Sequence, residues 1–496
     1  MKINIQNLMD RSGVKFGTSG ARGLATEMTD FVCYVYTCGF LQYLESQGDL
    51  KRGHTDVAIA GDLRPSTDRI MQAVRRAAND MGYTPINCGK VPSPTIAHYG
   101  IVNRIPAIMV TGSHIPADRN GIKFNTCSGE ILKADETAIR KECVYVSESL
   151  CNDTGQFAEA VDTPWPVSET ARTLYLSRYL DTFPSDCLAG QRIGVYQHSA
   201  VGRDILMQVY QGLGAETIAL GRSDIFVPVD TEAIRPEDVA LAAQWTERYT
   251  LNALISTDGD SDRPLIADES GQFLRGDVAG ILCAKYLGAD SVSTPVSCNT
   301  AVEKANLFKE VRRTCIGSPF VIASMIEASE AGAKTVVGYE ANAGFLTNSA
   351  ISLFGKTLAA LPTRDAIILH LSILLLSIQE GKPISALIDD LPQRFTASDR
   401  LKDFPQAKSH ALLAIFKTGD QTQDTLQATK LFGKYCGNCL LIDYTDGVRM
   451  TFDNSEIVHL RPSGNAPEFR CYTEAASSDR AIKLNASCLK VLQGYL

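Results

Sequence analysis

Short apolar runs recur along the chain, each followed by a polar or glycine-rich loop and then an amphipathic stretch. Val57-Ala58-Ile59-Ala60 ends in Gly61-Asp62, helical spacing of apolar positions follows from Ser66 to Met81, and Gly82 leads into a strand-like segment to Asn87. The order returns in Arg192–Tyr196, a helix expected near Gly202–Leu213, then Gly214 and a run to Leu220. A third copy reads Ser293–Val296, Thr300–Lys304, a helix over Phe320–Ala331, then Gly332 and the run to Val337. Strand, helix, glycine, strand is the grammar of βαβ units and predicts mixed or parallel sheets faced by helices. The copies agree in pattern and not in identity.

The last hundred residues follow a different rule. Asp446-Gly447 sits between the strand-like ends of Asp443–Phe452, which predicts a hairpin. Ile457–Arg461 and Arg470–Thr473 read as further strands, and a helix is expected around Ser478–Leu492. This predicts a C-terminal α+β domain with an antiparallel sheet. The apolar run Ala366–Leu376 is too short to span a membrane and reads as a buried helix. At about 100–200 residues per domain, a chain of 496 residues holds several domains. Breaks near 150–165, 272 and 385 suggest divisions at 1–155, 156–272, 273–386 and 387–496.

Composition narrows the partners. The net charge is −8 and no basic run dominates, so nucleic acid is not an expected partner. The first residues lack the apolar core of a signal peptide. The 14 cysteines are scattered, and Cys436-Gly437-Asn438-Cys439 has no second pair or nearby histidine to make a zinc site. Reduced thiols in a cytoplasmic protein are expected. An acidic protein that handles an anionic ligand must gather its cations locally, so clustered Arg and Lys in loops carry the information.

Five loops carry such groups. Thr111-Gly112-Ser113-His114 opens a Gly/Pro/Asn-rich loop after the run Ile105–Val110, with Lys123 close behind. A hydroxyl at a strand end stands where ligands bind in open α/β sheets, although most such serines only satisfy local backbone. Asp258-Gly259-Asp260-Ser261-Asp262-Arg263 places three carboxylates at alternate positions after a buried-type strand, which suits a hard cation such as Mg²⁺ or Ca²⁺. An EF-hand loop is disfavoured because Arg263 stands where its obligatory glycine belongs and the flanks read as strands. An aspartyl-phosphate loop is disfavoured by Asp262, and a solvated acidic turn is the bland alternative. Glu340-Ala341-Asn342, between Gly338 and Gly344, offers a carboxylate and an amide suited to sugar hydroxyls, or is an ordinary turn. Arg461-Pro462-Ser463-Gly464-Asn465 supplies a guanidinium, a hydroxyl, an amide and Gly-permitted backbone N–H groups for a phosphate. Lys15–Gly23 is a second basic glycine-rich loop, without Walker spacing.

These loops, in this order over Lys15–Arg470, resemble the α-D-phosphohexomutase family, and most closely its bacterial phosphomannomutase and phosphoglucomutase members. The resemblance implies three related mixed-sheet α/β domains and a C-terminal α+β domain around a central cleft. It implies Ser113 as the phosphoserine, Lys123, Arg22 and His114 as its catalytic neighbours, and Ser113, Asp258, Asp260 and Asp262 as the Mg²⁺ ligands. Arg263, Glu340 and Asn342 would meet the substrate, and Arg461, Ser463, Gly464 and Asn465 would grip its non-reacting phosphate. The implied reaction interconverts hexose 1-phosphate and hexose 6-phosphate through a hexose 1,6-bisphosphate, in a cytoplasmic monomer or homodimer with no membrane or nucleic-acid partner. Departures from the family pattern fall at Ser261 (commonly Gly), Asn342 (commonly Ser), Gly344 (His in many members) and Asn465 (commonly Thr). The Tyr-Glu-Ala-Asn form of the sugar loop favours mannose phosphate. Phosphoglucomutase and phosphoglucosamine mutase are the nearer alternatives, and a sugar-phosphate phosphatase or a non-catalytic sugar-phosphate binding protein the more distant ones.

Overall fold

The computed structural model describes residues 1–17, 20–159, 163–463 and 468–494. The chain divides into two compact units, one of Met1–Val292 with Ser318–Leu387, the other of Ser293–Gly317 with Ile388–Leu496.

The first unit begins with a mixed sheet. Its strands run in the order Lys15–Phe16, Gly20–Leu24, Arg119–Thr126, Ala107–Val110, Asp56–Gly61, Thr84–Lys90. Asp56–Gly61 is parallel to both its neighbours, whereas Arg119–Thr126 is antiparallel to both of its own. The helix Thr67–Asp80 makes the crossover between two parallel strands and buries Ile70, Met71, Ala73, Val74, Ala77 and Ala78, one face at helical spacing. A second mixed sheet follows, ordered Glu216–Leu220, Arg192–Tyr196, Ala253–Thr257, Pro264–Ala267. Only its last pair is antiparallel. Val336–Tyr339 and Phe345–Thr347 form an antiparallel hairpin. The helix Ser318–Glu330 lays Val321, Ile322, Met325 and Ala328 against Val336 and Leu346 of that hairpin.

The apolar run expected as a buried helix is the helix Ala366–Glu380, inaccessible to solvent from Ala366 to Leu376. Asp365 caps it by accepting the Ile367 N–H at 3.2 Å. The same carboxylate accepts the hydroxyls of Tyr175, at 2.7 Å, and Tyr179, from the helix Thr170–Leu180. No helix among the described residues is long and apolar enough to cross a membrane. No disulfide links any of the 14 cysteines.

The second unit is built on an antiparallel sheet ordered Phe395–Leu401, Phe469–Ala475, Ile457–Pro462, Val448–Phe452, Cys439–Asp443. The hairpin signalled by Asp446-Gly447 joins the last two of these strands, and Gly447 has φ +78°, as that turn requires. Helices Gln421–Cys436 and Ser478–Gln493 contribute Phe432, Leu484, Cys488 and Leu492 to a core shared with Phe404, Phe416, Phe452 and Phe469.

Four imidazoles are locked in these cores. Burial pushes His98, His198 and His459 down to about 4 and His370 to about 3. Each is neutral in the fold but takes up a proton in the unfolded chain below about pH 6.5. The stability they confer is therefore complete above that value and falls with pH through the window down to the folded values. Thermal melting between about pH 7 and about pH 4.5 is expected to show a steadily falling Tm, with a shallower slope for His370→Gln. A flat profile would mean that these imidazoles are not held neutral.

Candidate active site

Three loops of the first unit leave the C-terminal ends of strands: Thr111 onward after Ala107–Val110, Asp258 onward after Ala253–Thr257, and Glu340 onward after Val336–Tyr339. This is where open α/β sheets place ligands, because the strands end and the backbone turns outward.

Ser113 is fully buried and sits in the left-handed region at φ +56°. Its N–H donates to Thr111 Oγ1 at 2.8 Å, and that hydroxyl donates to Asp62 Oδ2 at 2.7 Å. Arg64, paired with Asp62 at 3.1 Å, donates to the carbonyls of Ser113, Ile115, Pro116 and Arg119 at 2.6–3.0 Å. One buried guanidinium thus staples the whole loop, and these bonds offset the cost of a non-glycine residue at positive φ. Ser113 Oγ donates to Asp258 Oδ2 at 2.5 Å. The approach is close: a Cβ on Gly259 would lie 2.8 Å from the Ser113 carbonyl oxygen, so only glycine fits there.

The three aspartates converge. Asp258, Asp260 and Asp262 are buried and can each offer an oxygen within 4.8 Å of the others, and no other such group of His, Cys, Asp or Glu occurs among the described residues. Lys123 Nζ donates to Asp260 Oδ2 and Asp262 Oδ2, both at 2.6 Å. Ser93 Oγ also donates to Asp260 Oδ2 at 2.6 Å. Asp260 Oδ1 and Asp262 Oδ1 are buried with no hydrogen-bond partner. Orphaned carboxylate oxygens are costly in a protein interior. Two of them beside a third aspartate form an oxygen-only donor set that fits a hard divalent cation such as Mg²⁺. The flanking strands Ala253–Thr257 and Pro264–Ala267 exclude an EF-hand. Ser261, where the family commonly has glycine, adopts φ +58° and is held by its side chain: its Oγ accepts the Gly202 N–H and the Thr257 hydroxyl, both at 2.9 Å.

Charge organises the protonation states. Burial, then the charges of Asp260 and Asp262, hold the Asp258 carboxyl well above the usual range. Burial pushes Asp260 up as well, but the Lys123 ammonium outweighs it and holds this carboxyl well below that range. Burial would strip Lys123 of its proton, yet Asp260 and Asp262 keep its pKa raised. The Arg263 charge, reinforced by burial, depresses His114 to about 2. His114 Nδ1 lies 2.9 Å from Arg263 Nη1 and 3.5 Å from Ser113 Oγ. Burial, then the neighbouring Arg263, lower Arg22 to about 10, and among the described residues Arg22 makes no ion pair.

Glu340 is buried and accepts from Arg364 Nη1 at 3.1 Å, while Arg364 Nε reaches Asp262 Oδ2 at 3.0 Å. Asn342 Oδ1 accepts the Gly344 N–H at 2.9 Å, and its carbonyl accepts the Thr231 hydroxyl at 2.8 Å. Arg461 and Ser463 belong to the second unit, where Arg461 Nε lies 3.4 Å from Asp446 and the Ser463 N–H donates to the Glu468 carbonyl at 2.8 Å. Gly464 and Asn465 lie outside the described residues. The structure thus gathers Ser113, His114, Lys123, Arg22, Asp258, Asp260, Asp262, Arg263 and Glu340 in one charged network, with Asn342 in the same loop as Glu340. Asp62, Arg64, Ser93 and Arg364 join it without having been singled out in the sequence. Asp62-x-Arg64 follows the strand Asp56–Gly61 directly, and Arg364 stands immediately before a helix cap. Charged residues at such junctions were the available signal.

A buried serine on a carboxylate of an aspartate triad that could hold a metal ion, ringed by lysine and arginine on mixed α/β sheets, is an arrangement suited to phosphoryl transfer. The chain matches the phosphoglucomutase/phosphomannomutase models for alpha/beta/alpha domain I over residues 13–147 and domain III over residues 275–395. It is 44% identical to a phosphomannomutase of Salmonella muenchen, covering 99% of this chain and 98% of the relative. It is 40% identical to a phosphomannomutase of Sinorhizobium fredii, covering 98% and 100%. A phosphoglucomutase/phosphomannomutase family protein of Burkholderia thailandensis shares the fold, with a TM-score of 0.73 at 18% identity over 98% of both chains. The chain belongs to the phosphoglucomutase/phosphomannomutase family and is a phosphosugar mutase, an isomerase.

Removing one of the three converging aspartates is expected to show directly. Asp260→Asn should weaken Mg²⁺ or Mn²⁺ binding, followed by calorimetry, at least about tenfold, since even outer-shell partners of metal sites are worth that much. An unchanged affinity would locate the cation elsewhere.

Proposed function

We propose that this chain interconverts mannose 1-phosphate and mannose 6-phosphate through a phosphorylated Ser113 and a hexose 1,6-bisphosphate. The observation that carries the reading is the 2.5 Å contact of the Ser113 hydroxyl with Asp258 inside the aspartate triad. The preference for mannose rests on the two phosphomannomutases that match nearly the whole chain, together with the Glu340-Ala341-Asn342 sugar loop. The four-part division at 1–155, 156–272, 273–386 and 387–496 belongs to the same proposal, as do a cytoplasmic setting and a monomeric or dimeric state.

In the first half-reaction the bond from Ser113 Oγ to phosphorus breaks as a sugar hydroxyl oxygen bonds to phosphorus, and the hydroxyl proton ends on Ser113 Oγ. The bisphosphate then turns over, and the reverse transfer from its other phosphate restores the phosphoserine. Phosphoryl transfer through a loose transition state needs in-line positioning and charge neutralisation more than covalent help. Arg64 and Asp62 supply the positioning by fixing the Ser113 loop. Lys123 and Arg22 supply positive charge, and the protonated state of Lys123 suits it to that task rather than to accepting a proton. Mg²⁺ held by Asp258, Asp260 and Asp262 with an oxygen on Ser113 would add Lewis-acid stabilisation of the moving group. Arg263 holds His114 neutral against the serine. Glu340 and Asn342 orient sugar hydroxyls, and the loop of Arg461, Ser463, Gly464 and Asn465 grips the distal phosphate.

The test is a coupled assay with Mg²⁺ and a trace of hexose 1,6-bisphosphate, comparing kcat/KM for mannose, glucose and glucosamine 1-phosphates. Preference for mannose 1-phosphate is expected, and Ser113→Ala is expected to lower kcat at least about 10³-fold while retaining substrate binding. Sustained turnover by Ser113→Ala, or release of inorganic phosphate in place of the isomer, would overturn the assignment.

A further inference from the structure

Arg364 is the largest fully buried side chain among the described residues, at 1% exposure. Its guanidinium is shared between two loops. Nε at 3.0 Å and Nη2 at 2.9 Å meet Asp262 Oδ2 in the metal loop, and Nη1 at 3.1 Å meets Glu340 Oε2 in the sugar loop. A planar fork fixes both the distance and the angle between its partners, which a lysine ammonium cannot do.

The stem of Arg364 is equally constrained. A Cβ on Gly344 would stand 2.3 Å from Arg364 Cδ and 2.6 Å from Cγ. Gly344 is not among the residues of positive φ, so its backbone does not itself require glycine. Arg364 cannot swing aside, because its far end is held by two carboxylates. Its chain neighbours are tied down as well: Thr363 donates to Glu130 Oε1 at 2.6 Å, while Asp365 caps the following helix and accepts two tyrosine hydroxyls. Ser318 holds the other Glu130 oxygen at 2.9 Å.

We propose that Arg364 is a positioning residue that locks the sugar-recognition loop to the metal loop, and that position 344 is glycine in order to admit its side chain. The proposal rests on the mutase reading above. Its consequence is that the groups meeting the sugar and those meeting the phosphoryl group keep one fixed spacing, so orientation at the hydroxyl is set from both sides.

The experiment compares wild type with Arg364→Met, Glu340→Gln, their double variant, and Gly344→Ala with and without Arg364→Ala. Steady-state kinetics on mannose 1-phosphate, Mn²⁺ affinity and Tm are read for each. Arg364→Met is expected to lower kcat/KM about 10²-fold, and the double variant with Glu340→Gln should fall little further, the non-additivity of coupled groups. Mn²⁺ should bind Arg364→Met several-fold more tightly, because a like charge beside Asp262 is gone. Gly344→Ala should lose activity alone and add nothing in the Arg364→Ala background. Additive losses, wild-type kcat/KM in Arg364→Met, or Mn²⁺ affinity falling in parallel with Tm would each overturn the coupling, the last by showing only a loosened core. Absence of hexose phosphate turnover by wild type would sink the mutase reading instead. The coupling would then stand or fall on whether Gly344→Ala tightens Mn²⁺ binding as Arg364→Met does.

Discussion

Charge compensation among buried side chains is the constraint on which this structure depends. Asp258, Asp260, Asp262 and Glu340 are all buried, and an ion removed from water without a partner costs several kcal/mol. The chain meets them with the cations Lys123, Arg22, Arg263 and Arg364, while the Asp258 carboxyl is held well above the usual range. Lys123 takes one oxygen each from Asp260 and Asp262 and leaves the other oxygen of each without a hydrogen-bond partner. The balance comes from groups contributed by separate strands and loops.

That assembly explains the supports around the site. A serine at φ +56° and a serine at φ +58° both stand where glycine would be cheaper, and each is held by named hydrogen bonds. Arg64 fixes the first loop through four carbonyls, Ser93 fixes the aspartate loop, and Asp365 anchors the segment that carries Arg364. The side chains that would move a phosphoryl group are thus backed by a second layer of polar groups that are themselves fully bonded. Pre-organisation of that kind lowers the reorganisation needed when charge shifts in a transition state.

Much of this was legible in the chain. Continuous apolar runs and period-3.6 patterns located the βαβ units, because a strand buried on both faces is apolar throughout and a helix buried on one face repeats its spacing. The Asp-Gly hairpin and the apolar helix beginning at Ala366 were legible for the same local reasons. The three aspartates were legible because alternate positions after a buried strand can turn toward one point. Arg64, Ser93 and Arg364 were not, since each acts across long sequence separations: Ser93 meets Asp260, Arg64 meets Ser113, and Arg364 meets Asp262. No local pattern encodes such a meeting. The same reason hid the grouping of Ser293–Gly317 with Ile388–Leu496, which joins segments far apart in the chain.

The pairing of buried cations with carboxylates also bears on the proposed cycle. A bisphosphate must be held for each transfer and yet turn over between them. An unbalanced charge near a phosphate contributes about 4 kcal/mol at 4 Å in a protein-like medium, which is about a thousandfold in affinity. A site with a large positive excess would therefore trap the intermediate. Because Asp260, Asp262 and Glu340 already pair with Lys123, Arg263 and Arg364, a divalent cation and the reacting phosphate dianion would add equal and opposite charge at the triad. Grip is then supplied by directed hydrogen bonds, which break one at a time as the sugar rotates, rather than by a deep electrostatic well. The carboxylates that consume so many of the cations are in this sense part of what lets the substrate move.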